Sequence, residues 1–465
     1  MMPKPIPRFV IARSRSRKAA VLAMVLCTAV SSCVWSQEKR IAAEKGTRVA
    51  PPRDERQLPF AMRSRMEDRP IVRVGQDSGD FMGRDNRVLQ AAVDYVGHLG
   101  GGTVVIGPGR YLMRDSLHLR RYVTVRGHGR DTLLVKAPAA VSPLALDGDF
   151  GEEQITLADA TAFQIGDGVL VRDSRVAGFH VTVARITGKT GNTFSISKPL
   201  GADCFASRGG IAATVFPVIS GYHIEGARVE DLCVEGSREK NLPVDGCRGA
   251  GIFLYRAFGT VIQNCYVQNY NGDGISFQQS NDVQVINCVS ENNADLGLHP
   301  GSGSQRPIVR DCIARGNGND GLFLCWRVRH GTFENNQLVD NGRFGISIGH
   351  KDTDNLLRKN VIKNNAGHGV VFRSESYGMS GHRNRLVDNL IENNGGEEKN
   401  GGAGIVIEGE TEGVVIQGNV IRDTRGDGDS TQRTAIRLGQ KVGEVTIEKN
   451  DIVADIETED LRDGE

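Results

Sequence analysis

The sequence lacks any apolar run of the ~18 or more residues that a membrane-spanning helix requires, and it lacks a charge excess of either sign. Its 57 Lys and Arg against 56 Asp and Glu leave a formal charge of +1, which argues against a strongly basic nucleic-acid binder. Aromatic residues are sparse, with 16 Phe, 8 Tyr and only 2 Trp. The shortfall does not extend to apolar residues as a class. They make up 39% of the chain against 24% charged, enough for a large core and too much for wholesale disorder. Helical repeats are excluded too, because no segment between turn signals in the repeated region keeps a 3.6-residue pattern for three turns. Glycine is what is plentiful, 58 of 465 residues, nearly twice the usual share.

Residues 1–33 read as an address. Arg13, Arg15, Arg17 and Lys18 precede an apolar run from Ala19 to Val30. A basic segment followed by a short apolar one predicts a secretory signal peptide. The run ends in Val30-Ser31-Ser32-Cys33, which resembles the lipobox of bacterial lipoproteins. The resemblance implies a lipid anchor at Cys33; ordinary secretory cleavage nearby is the alternative. Export would put the protein in the periplasm, on the outer membrane or outside the cell. Residues 1–32 hold six basic and no acidic residues, so the remainder has 51 basic against 56 acidic, a charge of −5. A polyanionic partner would then need a local basic patch. Residues 34–70, rich in Arg, Glu, Pro and Gln, read as a linker.

A repeat organises the rest. A glycine followed by an aliphatic residue recurs as Gly251-Ile252, Gly274-Ile275, Gly297-Leu298, Gly321-Leu322, Gly345-Ile346 and Gly369-Val370, at steps of 23 or 24 residues. Gly404-Ile405 follows after 35, and Ala435-Ile436 is a degenerate last copy. Each period holds a second alternating segment, such as Val285 to Val289, and Asn/Gly clusters separate the segments. Short period-two strands at a fixed repeat predict a parallel solenoid. One position reads Cys265, Cys288, Cys312, then Asn336, Asn360, Asn389, Asn419 and Asn450. Rungs ~4.8 Å apart would stack these residues, and an Asn column can hydrogen-bond along the axis. The three cysteines are read as a core stack rather than a metal site or disulfides. Cys204, Cys233, Cys247 and Cys325 have no metal-ligand spacing.

Upstream, Val88 to Leu99 has apolar residues at helical spacing, and Gly100-Gly101-Gly102 opens the strand Thr103 to Ile106. A helix over the end of a solenoid covers its exposed core and edges. Residues 71–149 are therefore read as a cap and first coils, 150–215 as a small β-rich insertion, 216–455 as repeats and 456–465 as a tail. The helix, glycine run and strands resemble the N-terminal cap of the pectate-lyase-like superfamily. That resemblance, over roughly residues 71–455, implies an all-β fold: a right-handed parallel β-helix with an N-terminal capping helix and an insertion. The fold hosts lyases, hydrolases, epimerases and non-enzymes.

Two families are partly similar. Leu296-Gly297-Leu298-His299-Pro300-Gly301 resembles the Tyr-Gly-Phe-Asp-Pro-His motif of mannuronan C5-epimerases, with that motif's Tyr, Asp and His replaced by Leu296, His299 and Gly301. Asp320 and Arg343 match the family's active-site Asp and Arg. Asn271-Gly272-Asp273-Gly274-Ile275 and Phe344-Gly345-Ile346-Ser347-Ile348-Gly349 resemble polygalacturonase motifs, although the paired Asp-Asp between them, the His before Gly345 and the later Arg-Ile-Lys are absent.

Alternation assigns faces. Ile275, Phe277, Leu298, Leu322, Leu324, Ile346 and Ile348 are expected to point inward. The outward set gathers Asp273, Gln278, His299, Asp320, Trp326, Arg327, His350, Lys351 and Arg373 on one broad face, with Arg343 and Arg373 as candidate carboxylate clamps. Cations to neutralise a carboxylate, an acid or base and an aromatic platform suit a sugar-acid groove. Asp273 and Asp320 are two rungs apart, about 9–10 Å by the sheet spacing; inverting glycosidases hold their carboxyls ~6.5–9.5 Å apart. Asp423, Asp427 and Asp429 are read as a flexible acidic turn, with Ca2+ binding as the alternative.

The expected partner is thus a polysaccharide, uronate-containing, and not nucleic acid. Three functions remain open. The first is β-elimination or related C5 proton abstraction, with Arg343 and Arg373 neutralising the uronate, His299 or Lys351 taking the proton and Asp320 orienting. The second is inverting hydrolysis by Asp273 and Asp320. The third is a non-catalytic envelope or adhesion module. Trp326, Arg327, Arg373, Gln278 and His330 would bind substrate, with His350 a further catalytic candidate. No cofactor is called for beyond the Ca2+ alternative.

Overall fold

The computed structural model describes residues 68–398, 401–426 and 429–462. The signal segment and most of the linker lie outside the described residues, as does Asp427.

Three long parallel sheets, of 13, 11 and 11 strands, wind around one continuous apolar core. The first sheet includes Val261–Gln263, Gln284–Ile286 and Ile308–Arg310, and the second includes Tyr266–Gln268, Val289–Glu291 and Ile313–Arg315. The third includes Asp273–Gln278, Leu298–Gly301, Leu322–Phe323, Ile346–Ile348 and Val370–Phe372. Consecutive rungs pair in register: Ile252 with Ile275, Ile275 with Leu298, Leu298 with Leu322, Leu322 with Ile346. The inward residues read from the alternation are all buried.

A single residue in the left-handed conformation makes each corner between the first and second sheets: Asn264, Asn287, Asp311 and Asn335 all have φ near +50° to +57°. Asn and Asp tolerate this region because the short side chain bonds locally. The next residue of each rung is the expected column. Asn336 Nδ2 donates to Asn360 Oδ1 at 3.0 Å, Asn360 to Asn389 at 3.0 Å and Asn389 to Asn419 at 2.8 Å. Cys265, Cys288 and Cys312 continue the column as buried free thiols. A second ladder, Asn293, Asn317, Asn341, Asn365 and Asn394, runs along the next corner.

The helix Asn86–His98 closes the N-terminal end. Asp85 caps it by accepting from the Arg87 backbone N–H at 3.0 Å, and Leu89, Ala92, Val93 and Val96 are fully buried. The insertion is a six-stranded antiparallel sheet whose strands run from Val141–Pro143 to Ile211–Ala213, so it begins inside the stretch read as first coils. The stretch read as a C-terminal tail contains a rung: Ile456–Asp460 pairs in parallel with Thr434–Leu438.

Candidate functional site

The outer face of the third sheet carries three columns. The first runs Asp273, Leu296, Asp320, Phe344, His368, each just before the glycine of its rung. The second runs Ser276, His299, Phe323, Ser347, Val371. The third starts at Gln278 and Gly301 and continues through Cys325 and Gly349 to Arg373. These columns place the sequence-derived candidates on one face, but they divide into two halves, one of them sealed.

In the sealed half, Asp273 and His299 are 0% and 4% exposed. This corrects the expectation that they line an open groove. The segment Asn241–Gly249 lies over them. Ser276 Oγ donates to the Gly246 carbonyl at 2.8 Å, and Gln278 Nε2 points to the same oxygen at 3.4 Å. Gly246 is needed here: a Cβ on it would fall 1.8 Å from Asp273 Oδ2. His299 Nδ1 lies 2.7 Å from Asp273 Oδ2. Burial works against the charged ring, yet the bonds to Asp273 and Cys325 outweigh it and raise His299 to about 10. His299 thus keeps its proton at neutral pH and is not poised as a base there. Gln278, fully buried beneath the same segment, is likewise not an exposed binding group.

Phe323 divides the halves. Its ring meets His299 edge-on at 5.2 Å, and the Arg373 guanidinium lies 4.5 Å from its centroid on the other side. Arg373 is fixed by Ser347 Oγ at 2.6 Å and the Leu324 carbonyl at 2.7 Å, with Asp352 at 3.4 Å, while its Nε has no partner. Gly349 lets it lie this low, since a Cβ there would be 2.7 Å from Arg373 Nε. Asp352, fully buried, accepts from the Val328 and Gly349 N–H groups; burial pushes it up to about 7.

Asp320 is the central group of the other half, where Arg343 and Trp326 are exposed but the carboxylate itself is buried. It is 1% exposed, its Oδ1 accepts the Phe344 N–H at 3.1 Å, and its Oδ2 has no partner. Burial raises it to about 6, against the pull of that N–H, Arg343 and Arg373. Arg343 is exposed and lies 4.4 Å from the Phe344 ring centroid.

The corner after the third sheet carries bulky residues in the left-handed region, Trp326 at φ 62° and His350 at φ 49°. Such strain in residues with bulky side chains is uncommon and clusters at functional sites. Their rings stack at 5.1 Å and 16°, and His350 Nε2 is 2.8 Å from Glu375. Burial and Arg373 lower His350, so its neutral ring is favoured. Arg327 and Lys351 follow at the same corner, also at positive φ. His330 differs: it sits in the turn entering the first-sheet strand Thr332–Glu334, not on this face.

The outward face was legible in the alternation, but Asp352 as the brace of Arg373 was not. The cover over Asp273 had one signal. The step from Ile219 to its partner Ile252 is 33 residues, ten more than the ordinary rung. Asp423 accepts from Arg425, Thr431 and Gln432, so its carboxylate is already occupied. Among the described residues no cluster of three His, Cys, Asp or Glu is arranged to hold a metal ion.

A family model described as "Right handed beta helix region" matches residues 232–379. The mannuronan C5-epimerases AlgE3 and AlgE5 of Azotobacter vinelandii are 34% and 30% identical over 107 residues. Those residues are 23% of this chain but only 6% and 11% of those proteins. Among solved structures, the A-module of Azotobacter vinelandii mannuronan C-5 epimerase AlgE4 superposes with a TM-score of 0.52 at 15% identity, covering 83% of this chain and 97% of the module. The Dettilon tailspike protein gives 0.50 at 13% identity, over 81% of this chain and 59% of the tailspike. At such identities the likeness is one of fold. Parallel sheets, the repeat and these matches agree that the chain is a right-handed parallel β-helix protein.

Proposed function

We propose that this protein is an exported carbohydrate-active enzyme that abstracts the C5 proton of a uronate residue in a polysaccharide. Elimination or epimerisation follows from the same first step. The observation that carries the reading is the unpartnered Asp320 Oδ2, buried within the field of two guanidiniums on the outer face of the third sheet. A uronate carboxylate engaged by Arg343 loses charge repulsion at its α-carbon, C5, and that carbon becomes acidic. Asp320, desolvated and therefore more basic than an ordinary carboxylate, accepts the proton on Oδ2. Arg373, braced by Ser347 and Asp352, holds positive charge beneath the substrate as the enolate forms. Trp326 offers an exposed ring for a neighbouring sugar.

This assignment moves the base from His299 to Asp320, because His299 is paired with Asp273 and holds its proton, whereas Asp320 Oδ2 has no partner. The hydrolytic pairing of Asp273 with Asp320 loses support for the same reason: Asp273 is covered and bonded to His299. Support for a polysaccharide partner comes from the mannuronan C5-epimerases similar in sequence.

The test is incubation of the protein with polymannuronate, alginate and polygalacturonate. Ultraviolet absorbance of the conjugated double bond reports elimination, and NMR of the polymer reports inversion at C5. Either signal, lost in Asp320→Asn, supports the proposal. Reducing ends without either signal, or no change in any polymer, defeats it.

A further inference from the structure

A second cleft opens where the antiparallel insertion meets the first rungs of the third sheet. It comprises a hollow of about 230 Å³ and an adjoining one of about 100 Å³, which share Val183, Lys198 and Tyr222. Tyr222 lines both hollows and belongs to an aromatic cluster behind them. Tyr222 and Tyr255 occupy one column on adjacent rungs, 5.9 Å apart by ring centroids, and Phe179 of the insertion packs on Tyr255 at 6.2 Å. Two cations stand over this cluster. The Lys198 ammonium lies 3.7 Å from the Tyr222 centroid. The Arg248 guanidinium lies 5.1 Å from the Phe179 ring and 5.7 Å from the Tyr255 ring, with Nε donating to the Phe179 carbonyl at 3.0 Å.

Neither cation forms an ion pair among the described residues, in contrast to Arg185 and Arg120 beside them, which pair with Asp115 and Asp94. Two positive groups without an ion-pair partner, held over rings tilted 47° and 52° to one another, cost electrostatic energy that an arriving anion relieves. Loss of hydration and the nearby Arg248 push Lys198 down to about 8, against the pull of the Asp115 carboxylate, which is itself bonded to Arg185 and His118.

We infer that this cleft is a second saccharide-binding site, which takes an anionic sugar unit with its carboxylate on Lys198 and Arg248 and its ring in the hollow beside Tyr222. The choice of a uronate rests on the function proposed above; the location does not. The rung of Tyr222 is four rungs from that of Phe323, roughly 19 Å along the axis at the sheet spacing. The covering segment Asn241–Gly249, which carries Arg248, lies over the rungs between. The cleft therefore holds a different part of the chain from the part that reacts.

The test is calorimetric titration of the full chain with a mannuronate hexamer and, separately, with the neutral cellohexaose. The background is Asp320→Asn, which stops turnover and leaves the cleft intact. The hexauronate binds, cellohexaose does not, and Lys198→Met or Arg248→Met weakens binding about tenfold, the effect of losing one charge-assisted contact, while Lys198→Arg restores it. Binding also takes up a fraction of a proton near pH 8, as Lys198 regains full charge. Unchanged affinity in Lys198→Met and Arg248→Met, or equal binding of cellohexaose, overturns the inference. If polyuronates are turned over while those variants bind normally, the cleft fails and the proposed function stands. If no uronate oligomer or polymer engages the protein at all, both fail.

Discussion

Asp273 and His299, on adjacent rungs of the third sheet, form a buried ion pair with Oδ2 and Nδ1 2.7 Å apart and a glycine of the covering segment directly above the carboxylate. Two charges on neighbouring rungs are tolerated out of water because each neutralises the other. Removing one partner strands the other. Asp273→Asn should cost about 3–5 kcal/mol of unfolding free energy. NMR titration of the His299 imidazole should show its pKa falling from about 10, because the strongest interaction that raises it is lost while burial remains.

The same pair sets a pH dependence. The folded-state value of His299 is raised above its unfolded value, so its contribution to stability is fully present below the ordinary His range and is lost as pH rises through about 10. Denaturation midpoints measured from neutral to alkaline pH should fall more steeply in the parent than in a His299→Gln variant.

Gly246 should tolerate no side chain. Gly246→Val must displace the segment Asn241–Gly249 from Asp273. Its expected outcome is carbethoxylation of His299 by diethyl pyrocarbonate, detected by peptide mass spectrometry, where the parent resists.

Activity on a uronate polymer should rise with pH through about 6, the value to which burial lifts Asp320, because a proton acceptor works only when ionised. Asp320→Asn should lower kcat by about 100-fold or more, the usual worth of a positioned general base, with an unchanged circular dichroism spectrum. Asp352→Asn should act indirectly, lowering kcat through a loosened Arg373.

The asparagine ladder makes a stability prediction. Asn360→Leu removes the acceptor of the Asn336 backbone and side-chain donors and leaves both buried. Each orphaned group costs about 1–3 kcal/mol, so the urea midpoint should drop well below that of Cys288→Ala, where a weak donor is lost from the same column.

The repeat made the architecture legible. The 23- or 24-residue step, the inward aliphatic pairs and the Asn336 to Asn450 column each describe a residue meeting its own equivalent on the next rung. Regular sheet spacing converts that sequence period directly into contact. Where the period breaks, legibility ends. The insertion begins at Val141 and the last rung is Ile456–Asp460, because boundary strands carry no glycine repeat to mark them.

By itself, the sequence determined that Asp273, His299, Asp320 and Arg373 project from one face of a solenoid, since alternation and period are local properties of the chain. Tertiary structure alone decided which of them are covered and which carboxylate keeps an unpartnered oxygen. The cover over His299 comes from Asn241–Gly249 and the second cleft from the insertion, two segments without period. Their docking on the wall depends on shape and on bonds such as Ser276 to Gly246, for which no spacing along the chain gives a register.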